Sequence, residues 1–128
     1  MTDADISTQK GPLIGSCHCG TVKFKAVLDT TNAVRCNCSL CRRKGSVMIT
    51  VVDGSFELLE GEDALTLYQW NTQVAKHYFC KHCGIYTFHR PRSNPAIYRA
   101  NAGCFSEIDP LKLDWKLVEG AWLSVESP

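Results

Sequence analysis

Cys36-Asn-Cys38-Ser-Leu-Cys41 places three thiols within six residues, and Arg42, Arg43 and Lys44 follow at once. Four more cysteines form two short pairs, Cys17-His18-Cys19-Gly20 and Cys80-Lys81-His82-Cys83-Gly84. A structural zinc ion takes four tetrahedral ligands, and a short turn aims two sulfurs at one ion at about 2.3 Å. The two pairs therefore read as one closed structural site made by Cys17, Cys19, Cys80 and Cys83. Cys36, Cys38 and Cys41 are left over, and three protein ligands with one position open is the pattern of a catalytic zinc.

The chemistry of the trio follows from charge. Zinc holding three thiolates carries a net −1, and an incoming thiolate makes it −2, so cations are needed close by. Arg42, Arg43 and Lys44 stand next in the chain, and arginine also grips carboxylates through two parallel hydrogen bonds. A coordinated thiol loses its proton and becomes a nucleophile for a small carbonyl. Two other readings of the trio stay open. It is a second structural zinc site closed by Cys104, the one cysteine still unassigned, or a redox-sensitive cluster without metal.

Other polar residues admit two readings each. His18 and His82 lie inside the knuckles and are expected to face outward, because their cysteine neighbours point inward. His77 and His89 are expected on strands as ordinary residues, not ligands. Arg90, Arg92, Asn94 and Arg99 gather around Pro91-Arg-Ser-Asn-Pro95. Such a loop could present Arg92 and Asn94 to a carboxylated thiol; a rigid exposed turn with solvated arginines is the competing reading. Trp70, Trp115 and Trp122 are expected in the core. A sulfoxide-reductase-like chemistry would need Cys104 as a reactive thiol.

These groups must be held by short strands. Val22–Val27 alternates apolar and basic residues, Val47–Val52 is β-branched up to the Asp53-Gly54 turn, and Phe56–Glu60 and Leu65–Trp70 follow. Lys76–Phe79 enters the Cys80 loop and Ile85–His89 leaves it, which makes a hairpin tipped by a zinc knuckle. At most one helical turn is expected, near Ser39. Residues 1–12 read as a flexible arm and 13–128 as a single domain. The class is mainly β, with zinc ties supplementing a modest core.

Composition limits the alternatives. Eight cysteines in 128 residues would suit disulfides or metal. The polar first ten residues hold no apolar stretch of signal-peptide length, so a reducing, cytoplasmic setting and metal thiolates are expected. The longest apolar run, Val47–Val52, is too short to cross a bilayer. Seven thiolates remove seven charges and two zinc ions return four, so the formal +1 becomes −2. No basic excess marks a nucleic-acid surface.

Taken together, the motifs resemble the glutathione-dependent formaldehyde-activating enzyme (GFA) family, which also includes centromere protein V. The matching text is Gly15-Ser-Cys-His-Cys-Gly-Thr-Val-Lys-Phe24 and Arg35-Cys-Asn-Cys-Ser-Leu-Cys-Arg-Arg-Lys-Gly45. It continues in Tyr78-Phe-Cys-Lys-His-Cys-Gly-Ile-Tyr-Thr-Phe-His89, Arg92-Ser-Asn-Pro95 and Asn101-Ala-Gly-Cys104. The resemblance implies several small coiled antiparallel sheets, similar to methionine-R-sulfoxide reductases and a zinc-binding nucleotide-exchange protein. It implies a structural zinc on Cys17, Cys19, Cys80 and Cys83 and a catalytic zinc on Cys36, Cys38 and Cys41. It also implies the addition of glutathione to formaldehyde, formally a carbon–sulfur lyase reaction. A zinc-stabilised binding module without catalysis is the alternative.

Overall fold

A computed structural model describes residues 11–122. The chain is mainly β, as expected, with ten short strands among the described residues and one six-residue helix. The strands are β1 (Leu13–Ser16), β2 (Lys23–Ala26), β3 (Leu28–Cys36), β4 (Met48–Val51) and β5 (Glu57–Glu60). They continue with β6 (Leu65–Tyr68), β7 (Lys76–Cys80), β8 (Tyr86–Arg90), β9 (Arg99–Asn101) and β10 (Lys116–Val118), and helix α1 spans Ser39–Lys44. The 1–12 arm expected from the sequence falls almost wholly outside the described residues.

The strands form two sheets. One has the order β1-β2-β5, and the other β10-β3-β4-β9-β8-β7-β6. Every pairing is antiparallel except β10 with β3, which runs parallel. The alternation read in Val22–Val27 appears directly: Val22, Phe24 and Ala26 are buried, while Lys23 and Lys25 are half-exposed.

Aromatic rings join the sheets. Phe24 of the small sheet stacks on Phe56 at 5.7 Å and meets Phe88 of the large sheet edge-on at 5.2 Å and Phe105 at 5.5 Å. Truncating a buried ring of this kind to alanine costs about 3–5 kcal/mol. Gly15 lets β1 lie against this cluster, since a Cβ there would fall 2.6 Å from the Phe24 ring.

A bulge in β8 decides what faces the other side of the large sheet. Phe79 lies opposite Tyr86 and Tyr78 opposite Phe88, so β8 carries Thr87 as one extra residue. An extra residue breaks the two-residue alternation and re-aims its neighbours. Tyr86 thereby joins His89 on one face although they are three positions apart.

All three tryptophans depart from expectation. Trp115 and Trp122 are 46% and 63% exposed, each beneath a guanidinium, Arg35 at 5.2 Å and Arg92 at 4.8 Å. A ring covered by an arginine keeps its apolar face partly dry without entering the core. Trp70 lines a cleft instead of packing in the core.

Candidate metal centre

The two knuckles meet. Cys17 and Cys19 lie in the β1–β2 turn, Cys80 ends β7 and Cys83 lies in the β7–β8 turn, so the cluster ties the small sheet to the large one. Its four sulfurs lie within 4.8 Å of one another, with Cys17 to Cys19 at 3.7 Å and Cys19 to Cys80 at 3.8 Å. Four sulfurs held tetrahedrally at 2.3 Å from zinc lie about 3.8 Å apart. The spacing thus fits the ion without rearrangement. Backbone amides also point at sulfur, Val22 N–H to Cys17 at 3.3 Å and His82 N–H to Cys80 at 3.4 Å. Such donors stabilise thiolates over thiols. The turns that aim them need positive φ at Gly20 (+82°) and Gly84 (+77°), which a residue without Cβ adopts freely. His18 and His82 are exposed and lie outside the cluster.

The second cluster sits at the junction of β3 and α1. Cys36 ends β3, Cys38 caps α1 and Cys41 lies in its first turn, and the three sulfurs also lie within 4.8 Å of one another. Cys41 N–H points at Cys38 Sγ (3.3 Å) and Cys38 N–H at Cys36 Sγ (3.4 Å). The parallel strand β10 clamps this loop from outside. Asn37 donates to Glu119 Oε1 at 2.7 Å and accepts from Gly120 N–H at 2.7 Å. Gly120 sits so close that a Cβ there would lie 2.7 Å from Cys36 Sγ.

Without an ion the three thiols share protons. Hydrogen bonds from Cys36 and then Cys41 hold Cys38 down at about 2, the bond with Cys38 pushes Cys36 up, and Cys36 and then Cys38 push Cys41 up further. A cation that takes the place of those protons draws all three sulfurs to thiolate, the form a metal requires. Among the described residues no fourth cysteine, histidine or carboxylate joins the trio.

Cys104 does not close this site. Its thiol donates to the Tyr86 carbonyl at 3.7 Å, and burial, with Cys17 and Cys83 nearby, pushes it up to about 12.

The trio forms one wall of a cleft. Trp70, Ala75, Pro91 and Val118 give it apolar walls, and His77, His89, Arg92 and Arg99 face it with polar edges. Two cations, Lys44 and Arg99, feel the charge of the cysteine trio. Burial lowers Lys44, while the charges of Cys41, Cys38 and Cys36 hold it up; Cys36 and Cys41 act on Arg99 in the same sense. Lys44 Nζ lies 4.1 Å from the centre of the Tyr86 ring and 3.1 Å from Ser46 Oγ.

The cations singled out from the sequence fall differently. Arg42 and Arg43 are exposed and do not line the cleft, and Arg43 donates to the Ser39 carbonyl at 2.8 Å. Arg92 lines the cleft at its rim; Asn94 does not, and accepts from Ala96 N–H at 3.3 Å within its own loop. Arg90 lies over Tyr98 at 4.8 Å.

Sequence reasoning did not single out the histidines. His77 and His89 face each other across β7 and β8, and Tyr86 Oη lies 2.7 Å from His77 Nδ1 and 2.6 Å from His89 Nδ1. Burial, then the charge of Lys44, lowers His77 to about 4 and His89 well below its usual range. Burial likewise raises Tyr86 well above its usual range. All three are neutral at pH 7.

Two cysteine clusters on a mainly β chain, each able to hold a metal ion and one beside a cleft, define a cysteine-rich class. Residues 12–122 match the model of the glutathione-dependent formaldehyde-activating enzyme family, and the chain belongs to that family. A Halomonas elongata protein named "Putative glutathione-dependent formaldehyde-activating enzyme" is 32% identical over 80 residues, 56% of this chain. The chain spans about half (51%) of that protein's length. A crystal structure of a Rhodobacter sphaeroides protein is 39% identical, with a TM-score of 0.76 over 81% of this chain and all of that one.

Proposed function

We propose that the chain is a zinc-dependent enzyme that forms or breaks a carbon–sulfur bond between a thiol such as glutathione and a small aldehyde such as formaldehyde. The observation that carries this reading is the three-sulfur cluster of Cys36, Cys38 and Cys41, opening on a cleft with no fourth protein donor among the described residues. Zinc held there would lower the pKa of a thiol in its fourth position and keep it as a thiolate. The match to the family, and the name of the Halomonas elongata relative, support glutathione and formaldehyde as the substrate class.

The chain's own residues supply the rest. Lys44 and Arg99 offset the negative charge that builds at the sulfurs. Trp70, Pro91 and Val118 keep water from the reacting atoms, which strengthens each charge interaction there. Arg92, which lines the cleft, would meet a substrate carboxylate. The second zinc, on Cys17, Cys19, Cys80 and Cys83, would hold the two sheets together and take no part in turnover.

The test is adduct formation from glutathione and formaldehyde, followed by NMR of the hydroxymethyl carbon. The wild type is expected to accelerate it and Cys38→Ser to abolish the acceleration while keeping one zinc. Equal rates for the two proteins would refute the assignment.

A further inference from the structure

We propose that Tyr86 couples His77 and His89 into a neutral proton relay that takes the proton from the substrate thiol at one ring and delivers it to the carbonyl oxygen at the other. The proposal deepens the thiol–carbonyl reading above and rests on it.

Tyr86 Oη lies within hydrogen-bond distance of two Nδ1 atoms, His77 at 2.7 Å and His89 at 2.6 Å. A phenol has one hydrogen to donate, so it donates to one ring and accepts from the other. The ring that receives has a bare Nδ1 and carries its own hydrogen on Nε2. The ring that donates carries its hydrogen on Nδ1 and leaves Nε2 bare. One hydroxyl therefore forces opposite tautomers on the two histidines. The alternative, a tyrosinate accepting from both, fails because burial holds the phenol neutral.

Placement makes the pair useful. Both rings line the cleft that holds the cysteine trio, and Tyr86 is not among the residues lining it. Each ring's hydrogen bond runs through Nδ1, so the Nε2 edges turn away from Tyr86. His89 Nε2 is buried without a protein partner. On this proposal the two rings, which line the cleft, supply one Nε2–H donor and one Nε2 acceptor, which is the pair a thiol addition to a carbonyl needs. The bulge at Thr87 makes this possible by turning Tyr86 to the histidine face.

The step balances without an outside proton. The thiol's hydrogen passes to the bare Nε2 as the thiol is taken up, leaving a thiolate, and the C=O π pair moves to oxygen as the sulfur bonds to the carbonyl carbon. The hydrogen on that ring's Nδ1 passes to Tyr86 Oη, and the hydrogen of Tyr86 passes to Nδ1 of the other ring. The Nε2 hydrogen of that second ring goes to the substrate oxygen. The product is a hydroxyalkyl thioether, all three side chains end neutral, and the two tautomers have exchanged. Cleavage runs back from the exchanged pair. Tyr86 touches no reacting atom and is a positioning residue.

Two measurements on the zinc-loaded full chain test this. The first is two-dimensional nitrogen-15 NMR of the histidine rings at pH 7.5, which reads the tautomer without substrate. One ring is expected with its hydrogen on Nδ1 and the other on Nε2, and Tyr86→Phe should abolish that opposition. Two rings of the same tautomer in the wild type, or either ring charged, would overturn the proposal. The second is turnover, where Tyr86→Phe should lower kcat about 100-fold with the KM for the thiol changed less than about threefold. Unchanged kcat in Tyr86→Phe would also overturn it. A wild type without thiol–aldehyde turnover would sink the functional reading and the substrate step with it, while the NMR pattern still decides the tyrosine bridge.

Discussion

Gly120→Ala should dislodge the second metal while leaving the first in place. A Cβ at position 120 would lie 2.7 Å from Cys36 Sγ and 3.3 Å from Cys38 Cβ, whereas ordinary contacts begin at 3.4 Å. Relief by moving Cys36 alone needs at least 0.7 Å, the difference between 3.4 and 2.7 Å. Metal–ligand distances tolerate only about 0.2 Å. Gly120 has little freedom to retreat, because its N–H is bonded to Asn37 Oδ1 at 2.7 Å and β10 is paired to β3 beside it. The clash therefore falls on the sulfur. The expected loss is about 10–100-fold in zinc affinity at the trio, comparable to losing a group that orients a ligand. The cost in fold stability should stay within about 1–3 kcal/mol, the range for one extra methyl in a packed site. Competition with a coloured chelator resolves the two zinc ions by affinity. If both ions in Gly120→Ala are held as in the wild type, the placement of β10 against Cys36 is wrong.

Cys80→Ser leaves three sulfurs joining the two sheets and should give metal-depleted, largely insoluble protein; a soluble mutant with a normal thermal transition would contradict a structural role. Lys44→Met removes a positive charge that lowers Cys41, so the thiols should hold their protons more tightly. Zinc at the trio should then be half-lost at a higher pH than in the wild type, and occupancy measured from pH 5 to 8 would show no displacement if Lys44 were merely structural. Arg42→Ala and Arg43→Ala, at exposed positions off the cleft, should change turnover less than about twofold. Arg99→Ala should lower kcat/KM for glutathione roughly tenfold or more, the worth of one charge-assisted contact. The reverse ranking would restore the cations read from the sequence.

The cysteine clusters were legible because their geometry is local. Two sulfurs separated by one or two residues converge whatever the rest of the chain does, and only the pairing of the distant knuckles needed the fold. Strands β2, β4, β5, β6, β7 and β8 were legible for a similar reason, since alternation or β-branching marks them directly. Strand β3 was not, because Asp29-Thr-Thr-Asn32 reads as a polar turn and its pairing with β4 is interrupted between Asp29 and Ala33. Adjacency in sequence pointed to Arg42 and Arg43, which lie exposed and off the cleft. On a helix, neighbours three positions apart share a face, so Lys44 lies with Cys41, and Arg42 and Arg43 turn outward. That spacing was visible in the sequence and could have been used. The histidine–tyrosine group was hidden, because Tyr86 and His89 differ by an odd number and only the bulge brings them to one face. Trp115 and Trp122, expected in the core, lie instead against Arg35 and Arg92.

The central claim is that Cys36, Cys38 and Cys41 hold a metal with room for a substrate thiol. Native mass spectrometry of the wild type and of Cys38→Ala, each with and without glutathione, tests it directly. The account predicts two zinc ions in the wild type, one in Cys38→Ala, and a glutathione adduct on the wild type alone. One zinc in both proteins, or equal glutathione binding by both, would contradict it.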